Sequence, residues 1–206
     1  AVDLLIVEGI ADGIWRPKGG EAAIEYVKKA YMKERIDAEK TELYNRKKEN
    51  RRAKVSTGFG LGMAQIKGDY VNPTNQFGFD LKIKYSFNDP SFNIWGSVGR
   101  LELDNKDIFH EIFLTSGFNI EYIILPYEKF TPYLYAGAGS ISKTNLDQSF
   151  FKFQGGVGIE YLISNKIGFF VEGEYNMLLS DDLDGRILGE KNDMFSRLGF
   201  GLNVYF

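Results

Sequence analysis

The stretch Met194-Phe195-Ser196-Arg197-Leu198-Gly199-Phe200-Gly201-Leu202-Asn203-Val204-Tyr205-Phe206 decides how the rest of the chain reads. Every second residue counted back from the end is Phe206, Val204, Leu202, Phe200 and Leu198, then a lapse at Ser196, then Met194. The residues between them are Tyr205, Asn203, Gly201, Gly199, Arg197 and Phe195. Side chains alternate faces along a strand, so one face is apolar for its whole length and the other carries Gly, Asn and Arg. A strand in a soluble domain runs about 5–6 residues, whereas a tilted strand crossing a bilayer needs about 9–11. This one is long enough to span. Its polar face is then the inside of something.

Working outward, the same two-residue period fills the chain back to Lys54. The seventh run sets Ile167, Phe169, Val171, Tyr175, Met177 and Leu179 against Glu172, Glu174 and Asn176. The sixth sets Phe151, Phe153, Val157, Ile159, Tyr161 and Ile163 against Lys152, Gln154, Gly156, Gly158 and Glu160. The fifth has Tyr133, Tyr135 and Ile141 on one side and Leu134, Ala136, Ala138 and Ser140 on the other, which leaves its orientation open. The fourth opposes Ile112, Leu114, Phe118, Ile120 and Tyr122 to Glu111, Thr115, Asn119 and Glu121. The third begins with Phe92, Ile94 and Val98 outward, and its phase slips at Arg100 or Leu101, the mark of a β-bulge. The second is the clearest, Phe77, Phe79, Leu81, Ile83, Tyr85 and Phe87 against Gly78, Asp80, Lys82 and Lys84. The first alternates Val55, Thr57, Phe59, Leu61 and Met63 with Ser56, Gly58, Gly60, Gly62 and Ala64. Short turns at Asn88-Asp89-Pro90 and Ser164-Asn165-Lys166 contrast with a long polar stretch from Asp181 to Asn192. The expected fold is an all-β membrane barrel of about eight antiparallel up-and-down strands, residues 54–206, preceded by an N-terminal helical segment.

A barrel of about eight strands is just wide enough for side chains to fill it. Lys82, Lys84, Glu111, Glu160, Glu172, Glu174 and Arg197 are expected to form an interior charge network, with Arg197 within a residue or two of Glu174 across the last hairpin. Unpaired buried charges are too costly to keep, so the reading implies a plugged lumen. Phe79, Ile83, Leu202, Val204 and Phe206 are then lipid-facing, and outer-membrane lipids are partners. The competing architecture is a soluble lipocalin-like barrel with the apolar face inside. Six strands of Phe, Tyr, Ile and Leu would overfill so narrow a lumen, and Gly-rich opposite faces make a poor solvent surface.

The ending resembles the C-terminal strand of bacterial outer-membrane proteins, which closes the barrel and finishes on an aromatic residue, usually Phe; here that is Phe206. The resemblance implies a bacterial outer-membrane location. Residues 1–53 read as a periplasmic helical segment, with one helix over 1–15 and a long charged helix over 21–52. Val2, Leu4, Leu5, Ile6, Glu8-Gly9-Ile10, Asp12-Gly13 and Ile14-Trp15 resemble the C-terminal helix of the curli secretion channel subunit, the CsgG family. That resemblance implies contact with neighbouring ring subunits, or a homo-oligomer, through Leu5, Ile6, Gly9, Ile10, Gly13 and Trp15. The family's lipidation cysteine, constriction loop and preceding periplasmic domain have no counterpart here, so the chain reads as the C-terminal part of a longer subunit. The basic run from Arg46 to Lys54 reads either as a contact for anionic phospholipid headgroups or as a solvated charge run.

Composition narrows the chemistry. With 23 Gly, 17 Phe and 12 Tyr, the chain suits small interior positions ringed by aromatic girdles. It has no Cys, which removes thiol and disulfide chemistry, and a net charge of −3, which argues against nucleic acid. The start at Ala1-Val2-Asp3-Leu4 shows no basic n-region, as in a mature form or a fragment. Gly58-x-Gly60-x-Gly62 and Gly155-Gly156-x-Gly158 do not sit at strand-to-helix junctions, so they read as interior packing and not nucleotide loops. Asp182-x-Asp184-Gly185 lacks the closing Glu of a calcium loop, because Lys191 holds that place. His110 has no Ser one strand step away, unlike lipid A deacylases, and reads as a girdle or loop-edge residue. No enzyme, metal or cofactor is expected. The leading expectation is a membrane anchor or accessory domain of a curli-type secretion assembly. The alternative is a stand-alone small barrel for adhesion or membrane integrity.

Overall fold

A computed structural model of the chain describes residues 8–10, 12–49, 52–67, 74–105, 109–144, 148–180, 183 and 193–206. It divides into two compact units, Ala1–Glu49 and Asn50–Phe206. The division falls four residues earlier than expected from the sequence, so Arg52 belongs with the second unit.

In the first unit, residues 8–10 are helical, but the expected helix does not reach Trp15: residues 12–15 form a turn. The reason is a glycine C-cap. Gly13 has φ +78°, Ile14 N–H donates to Gly9 O at 2.8 Å, and Gly13 N–H donates to Ile10 O at 3.2 Å. This is the Schellman pair of bonds, which ends a helix at a left-handed residue. The long helix, α1, runs Gly20–Glu49, three residues short of the expected end. Its last turn carries Arg46, Lys47 and Lys48, which complement the negative end of the helix dipole. Ile24, Val27 and Tyr31 are half-buried, and the Tyr31 hydroxyl donates to Glu8 Oε1 at 3.1 Å. No helix among the described residues is long and apolar enough to cross a membrane, which says nothing of strands.

The second unit is a closed antiparallel barrel in which each strand pairs with its sequence neighbours. The strands are β1 Val55–Lys67, β2 Gln76–Ser86, β3 Phe92–Asn105, β4 Phe109–Ile123, β5 Phe130–Lys143, β6 Ser149–Ser164, β7 Ile167–Leu178 and β8 Met194–Tyr205. Strand β8 closes on β1 from Ser56 opposite Tyr205 to Lys67 opposite Met194, and Phe206 N–H donates to Val55 O at 2.9 Å. The β2–β3, β4–β5 and β6–β7 connections lie at the end that carries Val55 and Phe206, here the terminal end. The remaining connections lie at the far end. At the terminal end, Asp89 tightens the β2–β3 turn by accepting from Ser91 N–H at 2.9 Å.

The expected bulge in β3 is absent. Its registers with β2 and β4 run unbroken through Arg100 and Leu101, and the one irregularity between β6 and β7 lies between Leu162 and Ser164. What changes at Arg100 is polarity, not phase. Arg100 and Glu102 stay outward while Leu101 and Leu103 stay inward and buried. There the strand rises past the apolar outer band, and inside and outside exchange character. The orientation of β5 is also fixed, with Tyr133, Tyr135 and Ile141 inside and Leu134 outside.

Candidate functional site: the filled lumen and its apolar outer wall

The lumen is built in layers from the terminal end. In the first, Glu160 of β6 accepts from Asn203 Nδ2 at 2.7 Å and from the Tyr205 hydroxyl at 2.7 and 2.8 Å. Arg52 enters from the segment ahead of β1 and donates Nε to Glu160 Oε2 at 3.1 Å. The same guanidinium reaches Pro126 O at 2.8 Å and Thr131 Oγ1 at 2.6 Å. Its side chain is only 4% exposed, so Arg52 is taken out of any headgroup contact. Nothing in the sequence marks it, because it stands before the two-residue period begins. Lys54 is exposed and donates to Asn88 Oδ1 at 3.0 Å, and Arg51 lies outside the described residues.

The next layer holds two buried ion pairs. Lys84 Nζ lies 2.8 Å from both oxygens of Glu121, whose Oε1 also accepts from Asn93 Nδ2 at 2.7 Å. Lys82 donates to Glu172, which accepts from the Tyr133 hydroxyl at 3.0 Å. The Lys82 ammonium also sits 4.8 Å from the Trp95 ring centroid and 4.6 Å from that of Phe170, so two aromatic faces share its charge.

In the third layer the expected cross-strand register is present, with Glu174 opposite Arg197, yet the guanidinium bonds to Asp80 instead. Arg197 on β8 and Asp80 on β2 are separated by β1, and the bond crosses β1 where it carries only glycine. A Cβ on Gly60 would lie 2.7 Å from Asp80 Oδ1, and one on Gly62 would lie 3.1 Å from Arg197 Nε. That explains the Gly-x-Gly run of β1 without any phosphate. Gly156 and Gly158 are explained alike, since a Cβ there would strike the rings of Tyr135 and Tyr133 within 2.5 Å. Glu174 accepts from the Tyr135 hydroxyl at 2.9 Å and from Asn176 Nδ2 at 2.8 Å. Asn176 in turn accepts from Lys152 Nζ at 2.6 Å and so bridges that cation to Glu174. These layers hold five cations, Arg52, Lys82, Lys84, Lys152 and Arg197, and five carboxylates, Asp80, Glu121, Glu160, Glu172 and Glu174. The balance is what a low-dielectric interior requires.

Above them the lumen turns apolar. Ala64, Ile66, Leu101, Leu103, Phe113, Ile141, Leu178 and Phe195 form one buried cluster, joined by Leu183 from the β7–β8 connection. Leu183 N–H donates to Asp193 Oδ2 at 2.8 Å, which holds it there. Glu111, expected inside, is exposed at the far end. Its phase along β4 is inward and it stands opposite the buried Leu103, yet it lies beyond Phe113 toward the rim and its side chain is exposed. His110 beside it is exposed, with Nδ1 3.4 Å from Asp104 Oδ1. Asp104 is engaged by the side chains of Thr74 and Gln76.

The outer wall is the complement of this interior. Phe79, Ile83, Leu202, Val204 and Phe206 all point outward and are exposed, as are Phe59, Leu61, Leu81, Phe118, Phe153 and Phe200. The contact residues expected in the first unit fare differently. Leu5 and Ile6 lie outside the described residues, as do Asp181, Asp182 and Asp184 of the calcium-like run. Gly9 is buried, and a Cβ there would lie 3.3 Å from the Trp15 ring, so Trp15 covers it within the chain. Ile10 is half-buried, Gly13 caps the helix, and Trp15 is half-exposed.

A closed antiparallel barrel with charge inside and hydrocarbon side chains outside has one common setting. The family model described as outer membrane protein beta-barrel domain matches residues 45–206. The chain belongs to this family. Its setting is therefore a bacterial outer membrane. Among solved structures, this outer-membrane barrel is similar to Neisserial surface protein A, at 15% identity and a TM-score of 0.60 over 75% of this chain and 98% of that one. It is also similar to Ail, the attachment invasion locus protein of Yersinia pestis, at 18% identity and a TM-score of 0.51 over 75% and 99% of the two chains. At such identities the likeness shows the fold. No curated protein matches the chain in sequence.

Proposed function

We propose that this barrel is a non-enzymatic, stand-alone outer-membrane protein of the adhesion or membrane-integrity type. The observation that carries the reading is the filled lumen, sealed by the Arg52–Glu160 layer at one end and the Leu183 cluster at the other. A barrel with no path through it works through its outer wall and its loops. Ail, which shares the fold, is named for attachment and invasion. His110 is itself exposed, its carboxylate partner Asp104 is half-buried, and no hydroxyl nucleophile among the described residues is bonded to it, which favours a non-catalytic part. The curli-channel reading rests on residues 1–15, ahead of the family match, and Gly9 and Gly13 there serve the chain's own turn.

In the proposed orientation the far end, with the long β7–β8 connection, faces outward, and the terminal end and the helical unit face the periplasm. Long loops outside and short turns inside are the rule for such barrels. Purified protein in planar bilayers should give no steady channels; persistent open-channel current would remove the filled-lumen reading. A deletion strain carrying the chain with residues 184–192 replaced by a short Gly-Ser linker separates the two types. Restored detergent resistance without surface attachment supports an adhesive loop. Loss of detergent resistance supports integrity. A protease added to intact cells should cut the native β7–β8 connection and spare α1.

A further inference from the structure

The third layer of the lumen leaves one carboxylate oxygen bare. Arg197 Nη2 donates to Asp80 Oδ1, but Asp80 Oδ2 is buried and has no hydrogen-bond partner among the described residues. Lys82 Nζ stands 3.7 Å from it, beyond hydrogen-bonding distance, and donates to Glu172. A buried acceptor without a partner is costly, and protein interiors meet such groups with a side chain or an ordered water. The space beside it has a cause in the sequence. Asp80 of β2 is paired with Gly99 of β3, and Gly99 with Thr115 of β4, so the middle member of this inward row has no side chain. A Cβ on Gly99 would lie 2.5 Å from Phe79 O and 3.0 Å from Asp80 Cβ, which keeps the place for glycine.

The result is a cavity of about 20 Å³, lined by the carboxylates of Asp80 and Glu174, the cations Lys152 and Arg197, and Thr115. Leu101 and Phe195, members of the apolar cluster, border it as well. A buried water needs about 10–15 Å³ and two to four polar partners, so one fits. The balance of charge decides the occupant. A metal cation would meet the Lys152 ammonium and the Arg197 guanidinium, and a halide would meet two carboxylates. A neutral molecule that both donates and accepts meets neither penalty. Donors remain for it, because Lys152 spends two of its three N–H groups, on Gln154 Oε1 and Asn176 Oδ1, and Arg197 has more N–H groups than Asp80 takes.

We propose that this cavity is the binding site of a single buried water, which donates to Asp80 Oδ2 and accepts from Lys152 or Arg197, with the Thr115 hydroxyl as a further partner. So held, the water joins the Asp80–Arg197 pair to the chain that runs from Lys152 through Asn176 to Glu174, and one polar network crosses the lumen from β2 to β7. Leu101 and Phe195 give it no polar neighbour on the apolar side, so it is isolated and not a link in a file of waters. The inference goes beyond the proposed function and holds whether the barrel serves adhesion or integrity.

The test pairs a crystal structure of the full chain in detergent with oxygen-17 relaxation dispersion of the same protein in micelles. The crystals should show one ordered water within hydrogen-bonding distance of Asp80 Oδ2, and the dispersion should register a long-lived water. Thr115→Ile, which fills the cavity, should remove both signals and lower the folding equilibrium constant roughly tenfold, since Asp80 Oδ2 is then left without a partner. Thr115→Val keeps the hollow and should retain the water, and Val98→Ile on the outer wall should change nothing. Folding of each variant is checked by gel mobility without heating; if Thr115→Ile does not fold, the wild type and Thr115→Val decide. Lys82 or Lys152 bonded directly to Asp80 Oδ2 with no water in the cavity overturns the proposal, as does a dispersion amplitude that Thr115→Ile leaves unchanged. A continuous file of waters through the layer overturns it too, and the channel recordings judge the filled lumen by themselves.

Discussion

Replacing Glu172 by Leu should destabilise the folded barrel by about 3–5 kcal/mol, the usual cost of orphaning one member of a buried ion pair. The substitution strips Lys82 of its bonded carboxylate and the Tyr133 hydroxyl of its acceptor at once. The neighbouring oxygen, Asp80 Oδ2, is 3.7 Å from Lys82 Nζ, and the other oxygen of that carboxylate already accepts from Arg197, so it offers partial relief only. Adding Lys82→Met to Glu172→Leu should recover most of the loss, because Met fits between the rings of Trp95 and Phe170 with no charge to satisfy. Urea unfolding in detergent micelles, followed by heat-modifiable gel mobility, measures both. If the double variant is as unstable as the single one, Lys82 has no net unpaired cost, and the interior is wetter than the packing described above.

The second large effect is on the other face. Leu202→Arg places a guanidinium at the centre of the outward row from Leu198 to Phe206 and should cost about 2–4 kcal/mol, as a lipid-facing cation at mid-bilayer does. Lys at the same place should cost about as much, and Phe206→Arg, at the edge of the row, about 0–1 kcal/mol. The measurement is the folded fraction after refolding into vesicles across a urea series. A penalty that did not fall from Leu202 to Phe206 would mean that the row does not cross a membrane.

These two substitutions test the parts of the architecture that were legible as sequence. Strands β2, β6 and β8 keep one face apolar over most of their length, with lapses at Ser149 and Gly155 in β6 and Ser196 in β8, because their outward residues lie within the hydrocarbon band. The alternation of Phe79, Leu81 and Ile83 with Asp80, Lys82 and Lys84 therefore gives fold and orientation together. The rest was hidden for particular reasons. Strand β3 runs past the band, so Leu101 and Leu103 inside and Arg100 and Glu102 outside mimic a phase slip, although the register is unbroken. Glu111 obeys the inward phase but lies at the rim, beyond Phe113, and is exposed. Asp80 and Arg197 pair across an intervening strand, a contact that nearest-neighbour register does not foresee and that exists because Gly60 and Gly62 leave room. Arg52 precedes the periodic region altogether. The expected helix over 1–15 ends before Trp15 because Gly13, in sequence one of several glycines, has a φ of +78° and caps it.

The account stands on the direction in which the apolar faces of the strands point, and tryptophan quenching reads that direction most directly. Two single-tryptophan forms are needed, both with Trp15→Phe: one keeping Trp95 in the lumen, where it is 3% exposed, and one with Trp95→Phe and Phe200→Trp on the outer wall. In vesicles of lipids brominated along the acyl chain, fluorescence from position 200 should be strongly quenched and that from Trp95 nearly untouched. Strong quenching of Trp95 with position 200 shielded, or a protein that stays monodisperse without detergent or lipid, would contradict it.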